Sequence, residues 1–180
     1  MAAPRTWSLP GLALLAAVGL SCGYAVERAP SSLSADAPRL SIRTLDNESS
    51  EPGLDRLVSE ALRREWMRRG RVKLVGDPAR ADWVISGRVL PLRIHTRTMS
   101  SVVLALEQTV TMRVELELIT RSAAGPSRHR LPSRLLGESE IYFASADLEA
   151  TRKNRVEALR RVAELVAERA VDAVNSEDWP

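Results

Sequence analysis

The chain has 180 residues, of which 44% are hydrophobic, 27% charged and 4% aromatic, and its formal net charge is +3. This composition excludes disordered, collagen-like and polytopic membrane proteins. It is typical of one globular domain that needs neither disulfide bonds nor a structural metal to hold its core. Lys73 and Lys153 are the only lysines. Since codon bias can also produce an excess of arginine, only the placement of individual arginines carries a functional argument.

Residues 1–21 have the pattern of a secretory signal peptide. Arg5 precedes an uncharged apolar run over residues 9–20, which is too short to span a bilayer. Cys22, the single cysteine, follows directly. With Ser21 before it, Cys22 resembles the acylated cysteine of bacterial lipoproteins, although Gly19 departs from the large apolar residue usual three positions earlier. The alternative is an ordinary signal peptide with a leftover cysteine, which would leave a reactive exported thiol.

We therefore expect Cys22 to be the lipid anchor, carrying fatty acyl chains such as palmitate. Residues 22–38 are rich in Ala, Pro and Ser without an apolar period, and predict a lipidated N-terminus and a tether. Gly23 rather than aspartate follows the cysteine. By resemblance to bacterial sorting rules, this favours the periplasmic side of the outer membrane. The folded domain is expected over residues 39–175, followed by a tail over 176–180.

The first strand is predicted over residues 39–45, where Leu40 and Ile42 alternate with polar side chains. A turn over residues 47–53 leads into a helix, which Gly70 ends as a C-cap. Five arginines lie between positions 63 and 71, but Glu60 and Glu65 are interleaved with them, which favours a solvated charged face over an anion site. The apolar residues of the helix recur at helical spacing: Leu54, Leu57, Val58, Ala61, Leu62 and Trp66.

Five further elements complete the domain. Residues 72–75 predict a short strand and residues 83–94 a longer one, in which Gly87 indicates a bulge or a close backbone approach. Residues 135–143 predict another strand, and residues 146–174 a long helix. The clearest strand has one side made of Met112, Val114, Leu116 and Leu118 and the other of Thr111, Arg113, Glu115 and Glu117. The apolar stripe of the last helix is Val156, Leu159, Ala163, Val166, Ala170 and Val174.

This order of elements predicts an α+β fold, a two-layer sandwich with two helices packed on one face of a mixed four-stranded sheet. The first two strands are expected to be parallel, joined by a right-handed crossover. Both helices are apolar on one side only, so both must pack on the sheet. The polar side of the sheet is then left uncovered.

Three short segments point to a family: Cys22 with Gly23 and Tyr24, residues 47–54 (NESSEPGL) and residues 81–87 (ADWVISG). Together with the order of elements, they resemble the lipopolysaccharide-assembly lipoprotein (LptE) family. The resemblance implies an α/β sandwich that plugs the large outer-membrane β-barrel inserting lipopolysaccharide (LptD-like). It also implies a role in barrel assembly and lipopolysaccharide transport, and no catalysis. Independently, a polar sheet face suits a polar barrel lumen.

The chain offers little for catalysis or for a cofactor. Its 2 histidines, His95 and His129, are far apart, and Cys22 is its only cysteine, so a metal site is not expected. It has neither a G-x-S-x-G elbow nor a glycine-rich phosphate loop. We therefore expect no enzyme and no cofactor. Nucleic acid is not an expected partner of an exported, nearly neutral chain.

Two stretches contain cations and no acid. The first lies between Asp82 and Glu107 and the second between Glu117 and Glu138. The phosphates of lipid A, the acylated part of lipopolysaccharide, are natural anions for arginines in either stretch. The two stretches are expected at opposite ends of the strand that contains residues 112–118, so they should not form one patch.

The first stretch runs into an uncharged apolar segment over residues 102–106, which suits an anionic lipid. Arg93 and Arg97 are therefore the first candidates for binding lipopolysaccharide, and Arg128 and Arg130 are the second. The alternative for Arg93 and Arg97 is a solvated hairpin end, and for residues 102–106 the start of a buried strand.

Two function classes remain open. The first is a non-enzymatic subunit of the lipopolysaccharide-inserting barrel. The second is another anchored periplasmic module, such as an activator of peptidoglycan synthesis or an accessory lipoprotein of a secretion system. The protein that co-purifies, a large barrel or a penicillin-binding protein, distinguishes them.

Overall fold

The computed structural model describes residues 36–98, 106–122, 125–132, 134 and 136–176. Within them the chain forms one sheet of eight strands, two α-helices and one turn of 3-10 helix at Pro78–Arg80. The strands are β1 Arg39–Ile42, β2 Asp46–Asn47, β3 Lys73–Leu74, β4 Trp83–Val89, β5 Arg93–Thr98, β6 Leu106–Ser122, β7 Gly125–Arg130 and β8 Gly137–Ala144. The helices are α1 Leu54–Arg69 and α2 Leu148–Ser176.

The sheet is built around β6, which has 17 residues. Strands β4 and β5 pair with successive parts of one edge of β6, and β7 and β8 with successive parts of the other. The α+β class with two helices and a mixed sheet is confirmed, but the predicted count of four strands is wrong. One long strand leaves room for two short ones along each of its edges.

The predicted strand over residues 83–94 is divided at Pro91. Val89 lies opposite Val114, and Arg93 lies opposite Thr111. The outer chain therefore has one more residue than β6 between these pairs, which is a bulge. Proline has no N–H to donate to the ladder, so it favours a break of this kind. Pro132 lies in the longer connection between β7 and β8.

The parallel part of the sheet follows the prediction. Strand β1 pairs in parallel with both β3 and β4. The strand predicted over residues 39–45 ends earlier, at Ile42, and the chain returns to the sheet as the short β2, which also pairs with β4 in parallel. The order of strands places β1 between β3 and β4, with β6 next to β4.

Helix α1 ends as predicted. Gly70 is in the left-handed conformation, with φ of 64°, and its N–H donates to the carbonyl of Trp66. The apolar side chains of α1 pack into one core with those of α2 and of β6. The first buried residue of helix α2 is Ala158. Val156 is 38% exposed, so the predicted core stripe is wrong at that position, where the first turns of the helix lie outside the core.

The arginines of α1 join the two helices. Glu65, nearly buried, accepts from Arg68 and Arg69 at 2.7 Å, and Arg69 also pairs with Asp172 of α2 at 2.7 Å. Burial raises the pKa of Glu65, but hydrogen bonds from Arg68 and Arg69 outweigh it, so that pKa is lowered overall. Neither helix, in the portion of the chain described, has an apolar stretch long enough to cross a membrane.

Candidate functional site

The sheet face turned away from the helices is the candidate functional surface, and we call it the open face. On β6, Met112, Val114, Leu116 and Leu118 are buried against the helices, as predicted. Glu115 lies between two of these, so its side chain projects from the other face of the strand. The open face therefore carries the polar half of the alternating pattern.

The open face has two regions. The first, called the β4–β7 region, lies where β6 pairs with β4 and β7, and contains a shallow cavity of ≈ 420 Å³. Its lining includes Arg43, Arg88, Glu115, Glu117 and Arg130. The second, called the β5–β8 region, lies where β6 pairs with β5 and β8. The two regions share a strand and a face but differ in how their charges are matched.

In the β4–β7 region, most of the charged groups are paired. Arg88 contacts Glu115 at 2.7 Å and Glu48 at 3.0 Å, and Arg128 contacts Glu117 at 3.4 Å. The hydrogen bond with Glu115, and then the charge of that carboxylate, raise the pKa of Arg88. These ion pairs connect β4, β6 and β7 across the surface.

Gly87 allows β4 and β6 to approach closely in this region. A Cβ atom at Gly87 would lie 2.0 Å from the carbonyl oxygen of Glu115. Because that oxygen belongs to the backbone, a side chain at Gly87 cannot be accommodated by a rotamer change. The predicted close backbone approach at this glycine is confirmed.

Arg121, which lies in the second acid-free stretch, forms hydrogen bonds within the fold. Its guanidinium donates to the carbonyls of Pro78 at 2.8 Å and of Ala79 and Ala81 at 3.2 Å. Fixed in this way, it stabilises the turn of 3-10 helix that precedes β4. The cations of this stretch are therefore not equally available to a ligand.

Arg39 and Asp82 form an ion pair at the beginning of β1 and β4. The carboxylate of Asp82 accepts from the side chain of Arg39 at 2.7 Å and 3.1 Å, and from its backbone N–H at 2.9 Å. The side-chain hydrogen bonds, followed by the backbone one, lower the pKa of Asp82 from 3.8 to about 2.

In the β5–β8 region, the basic side chains of β5 form no ion pair with a described residue. Arg93 lies opposite Thr111 and His95 opposite Thr109, so both project from the open face. Arg97 is exposed at a shift of register between Thr96 and Thr98. Among the residues that the structure describes, no ion pair reaches Arg93, His95 or Arg97.

Exposed apolar side chains lie two strands away from these cations. On β8, Ile141 is 39% and Phe143 is 57% exposed, and Ile141 lies opposite Thr109. Cations and apolar groups therefore flank β6 on one face. The described ranges contain no group of three or more His, Cys, Asp or Glu side chains that could hold a metal.

Comparison with protein families decides where this fold belongs. The model of the LptE lipopolysaccharide-assembly family matches residues 37–174. The chain belongs to the LptE family. A search of curated proteins finds no match.

Several solved structures are similar to the chain. Rare lipoprotein B from Shewanella oneidensis is 18% identical, with 74% of this chain and 95% of that chain covered and a TM-score of 0.40. A minor lipoprotein from Acinetobacter baumannii is 14% identical, with 77% and 94% covered and a TM-score of 0.43. Protein XCC0632 from Xanthomonas campestris is 12% identical, with 81% and 90% covered and a TM-score of 0.45. At these TM-scores, the similarities carry no argument about the function of this LptE family member.

The four predicted lipopolysaccharide-binding arginines of this LptE family member do not form one patch. Arg93 lies opposite Thr111 of β6 and Arg130 opposite Glu117, so the two are about 20 Å apart along the strand. Arg128 has a carboxylate nearby, and Arg130 has no ion pair with a described residue. Binding of lipopolysaccharide by any of the four stays a prediction.

Other predicted features lie outside the described residues. These are the signal peptide, Cys22 and the tether as far as residue 35, residues 177–180 of the tail, and the apolar segment over residues 102–106, of which only the backbone of Leu106 is described.

Sequence reasoning did not identify Ile141 and Phe143 as surface residues. Their neighbours Glu138 and Glu140 face the helices instead, where they pair with Arg169 and Arg161 of α2. A strand that turns its acids inward and its apolar residues outward contradicts the usual burial pattern. The sequence feature that could have indicated their outward position is the alternation of two glutamates with Ile141 and Phe143, together with the arginines of α2.

Proposed function

We propose that this protein is an outer-membrane lipoprotein that partners and plugs the lipopolysaccharide-inserting β-barrel. In this proposal, acylated Cys22 anchors the chain on the periplasmic side, and the folded domain assists assembly of the barrel and transport of lipopolysaccharide to the cell surface. The observation that carries the proposal is the match of the LptE family model to residues 37–174. The proposal requires binding and positioning, and no catalysis.

The polar open face supports the plug role. The lumen of a large outer-membrane barrel is lined by polar side chains, so a domain inside it needs a surface that is polar and well matched in charge. The β4–β7 region has this character, since Arg88 and Arg128 are paired with carboxylates. At these two arginines, the surface can exchange hydrogen bonds with a lumen wall without burying an unpaired charge.

The β5–β8 region supports contact with lipopolysaccharide. Lipid A combines phosphates with acyl chains, and this region combines cations with exposed apolar side chains. Arg93 and Arg97 can donate charge-assisted hydrogen bonds to phosphate, and Phe143 offers an apolar contact on the same face. We therefore place the lipopolysaccharide contact in this region, with Arg128 and Arg130 as the second candidate.

The test is purification of the full chain from its native host in detergent, with a C-terminal tag. A large outer-membrane barrel in stoichiometric amount is the expected result. A penicillin-binding protein in its place would contradict the proposal and support the peptidoglycan alternative. Depletion should leave the barrel misassembled and the outer membrane permeable to large apolar antibiotics, whereas unchanged barrel and surface lipopolysaccharide levels would count against the role.

The anchor is tested separately. Mass spectrometry of the mature N-terminus should find acyl chains on Cys22, and Cys22→Ala should release a periplasmic domain that still folds, because the core is built from residues beyond the tether. An unmodified Cys22, or cleavage at another position, would contradict the anchor.

A further inference from the structure

Strand β5 has a free edge. It pairs with β6 on one side, and no strand among the described residues borders it on the other. The N–H and C=O groups on the free side of an edge strand are able to pair with another polypeptide segment. The question is which residues of β5 present those groups.

Hydrogen bonds near β4 show which backbone groups of β6 point toward β4 and β5. The carbonyl of Arg113 accepts from the N–H of Leu90 at 2.9 Å, and the N–H of Arg121 donates to the carbonyl of Asp82 at 2.8 Å. In a strand, the two backbone groups of one residue point to the same side and alternate along the chain. Odd-numbered residues of β6 therefore bond toward β4 and β5.

This alternation identifies the outward groups of β5. Arg93 and His95 lie opposite odd-numbered residues of β6, so their backbone groups bond inward. The backbone groups of Ile94 and Thr96 consequently point outward, where no described strand receives them. The side chain of Ile94 is 40% exposed, which leaves this edge open to an approaching chain.

The edges of β7 and β8 differ from this one. Pro126 of β7 lies opposite Arg121, whose backbone groups point away from β7, so Pro126 occupies an outward position and offers no N–H there. On β8, the carbonyl of Phe143 accepts from the side-chain amide of Asn154 at 2.9 Å. Both edges thus carry features that hinder strand addition. On β5, neither outward residue, Ile94 or Thr96, is a proline, and no described side chain is bonded to the carbonyl of either.

The charges beside this edge select the kind of strand that can join it. Arg93, His95 and Arg97 are exposed along β5. A second copy pairing through the same edge would bring arginines against arginines, and like charges on neighbouring strands are destabilising. An acidic segment would be attracted, while an apolar residue on its other face could contact Ile94.

We propose that the outer edge of β5 is a docking site for an extended segment of a partner protein in which acidic residues alternate with apolar ones. The segment adds to the sheet as a strand beside β5, held by the backbone groups of Ile94 and Thr96. This inference goes beyond the proposed function and does not depend on it.

The probe is a short acetylated peptide in which glutamate alternates with valine, titrated into the full chain purified in detergent. A matched peptide, N-methylated at every amide, keeps the charges but cannot donate backbone hydrogen bonds. Binding of the first peptide and at least tenfold weaker binding of the second are the expected results. Equal binding of both would show attraction by charge alone, and no binding of either would likewise overturn the proposal.

Thr96→Pro tests the edge from the side of the protein. Proline at Thr96 removes an N–H that points away from β6, so the ladder within the sheet stays intact and the fold should survive. Peptide affinity should fall roughly tenfold or more, whereas Thr96→Ala, which keeps the N–H, should stay within about twofold of the wild-type affinity. A circular dichroism melt checks the fold of both variants.

Two further results separate this site from its alternatives. Arg93→Glu combined with Arg97→Glu should reverse the preference, so that a lysine–valine peptide binds better than the glutamate–valine peptide. Unchanged peptide preference would contradict the proposed charge selection. A concentration-dependent dimer that Thr96→Pro abolishes would assign the edge to a second copy and overturn the acidic partner.

Discussion

The two regions of the open face share strand β6 but use their arginines differently. In the β4–β7 region, Arg88 and Arg128 are held by carboxylates from neighbouring strands. In the β5–β8 region, Arg93 and Arg97 are exposed and form no ion pair with any described residue. In the first region Arg88 and Arg128 connect strands, although Arg130 forms no ion pair with a described residue there. In the second region both Arg93 and Arg97 are presented to the surroundings.

This difference shows why the number of arginines in a segment is a poor guide to binding. A guanidinium already bonded to a carboxylate must give up that contact before it can bind a phosphate, whereas an unpaired one need not. Changes at the paired arginines of the β4–β7 region should therefore affect mainly stability, and changes at the unpaired arginines of the β5–β8 region mainly binding.

The largest expected effect is on stability, from Gly87→Ala. The added Cβ would lie 2.0 Å from the carbonyl oxygen of Glu115, so β4 and β6 must separate locally. We expect a loss of about 3 kcal/mol in the free energy of unfolding, the upper end for overpacked sites, measured by urea denaturation. Gly76→Ala is the matched control, because a Cβ there meets nothing within 4 Å. Equal stability of the two variants would show that the strands are not held so closely.

The second effect is on binding. Arg93→Glu combined with Arg97→Glu should lower lipopolysaccharide affinity well over tenfold, because two charge-assisted contacts become repulsive. The fold should survive, since both side chains are exposed. Affinity of the full chain in detergent is measured against salt, which should weaken wild-type binding only in part, because acyl chains bind through an unscreened apolar term.

The control for this variant is the same reversal at Arg128 and Arg130, which should leave the affinity within about twofold. Arg128 is already paired with Glu117, and the described residues of the β4–β7 region include no exposed large apolar side chain that could hold acyl chains beside Arg130. A larger loss there than at Arg93 and Arg97 would move the lipopolysaccharide contact to the β4–β7 region. Equal affinity of both variants and the wild type would argue against direct binding through any of these four arginines.

The periodic elements of this fold could be predicted from the sequence, and the division of the sheet could not. The alternation around Met112 and the helical stripe ending at Trp66 were sufficient to locate β6 and α1, because burial of one face gives a clear period. The pairing of β6 with two strands on each edge depends on contacts remote in sequence and on breaks at Pro91 and Pro132, whose consequences appear only in three dimensions.

The candidate site was predictable only in part, for a similar reason. The acid-free stretches located the cations correctly along the chain, but carboxylates distant in sequence decide which of them are paired. Glu117 reaches Arg128 across neighbouring strands. The outward position of Phe143 follows from ion pairs between β8 and α2, which the sequence of the strand alone does not show.

The third effect concerns acid stability at the beginning of β4. The folded pKa of Asp82, about 2, lies below its ordinary value of 3.8, so the carboxylate stabilises the fold above pH 3.8 and that contribution is lost as the pH falls through about 2. Asp82→Asn should lose less stability between pH 5 and pH 2 than the wild type does. Arg39→Gln removes the guanidinium, the largest cause of the shift, but keeps the backbone N–H, so its loss of stability should lie between those of Asp82→Asn and the wild type. An identical loss of stability between pH 5 and pH 2 in all three proteins would contradict the ion pair.

The smallest effect is expected from Arg88→Gln, and it bears most directly on the comparison of the two regions. Arg88 is exposed to solvent, so its contacts with Glu115 and Glu48 are screened and should stabilise the fold only slightly. The variant should lower the Tm by a small, reproducible amount at low salt. Glu115→Gln should also lower the Tm, and the decrease in the double variant should be smaller than the sum of the two single decreases. At 1 M salt, where the Debye length is about 3 Å, the difference from the wild type should become smaller.

Arg93→Gln, the counterpart of Arg88→Gln in the β5–β8 region, should leave the Tm unchanged at both salt concentrations. A decrease in Tm for Arg93→Gln as large as that for Arg88→Gln would mean that the fold also uses Arg93, and that an arginine in this region is not free to bind a phosphate without a cost in stability.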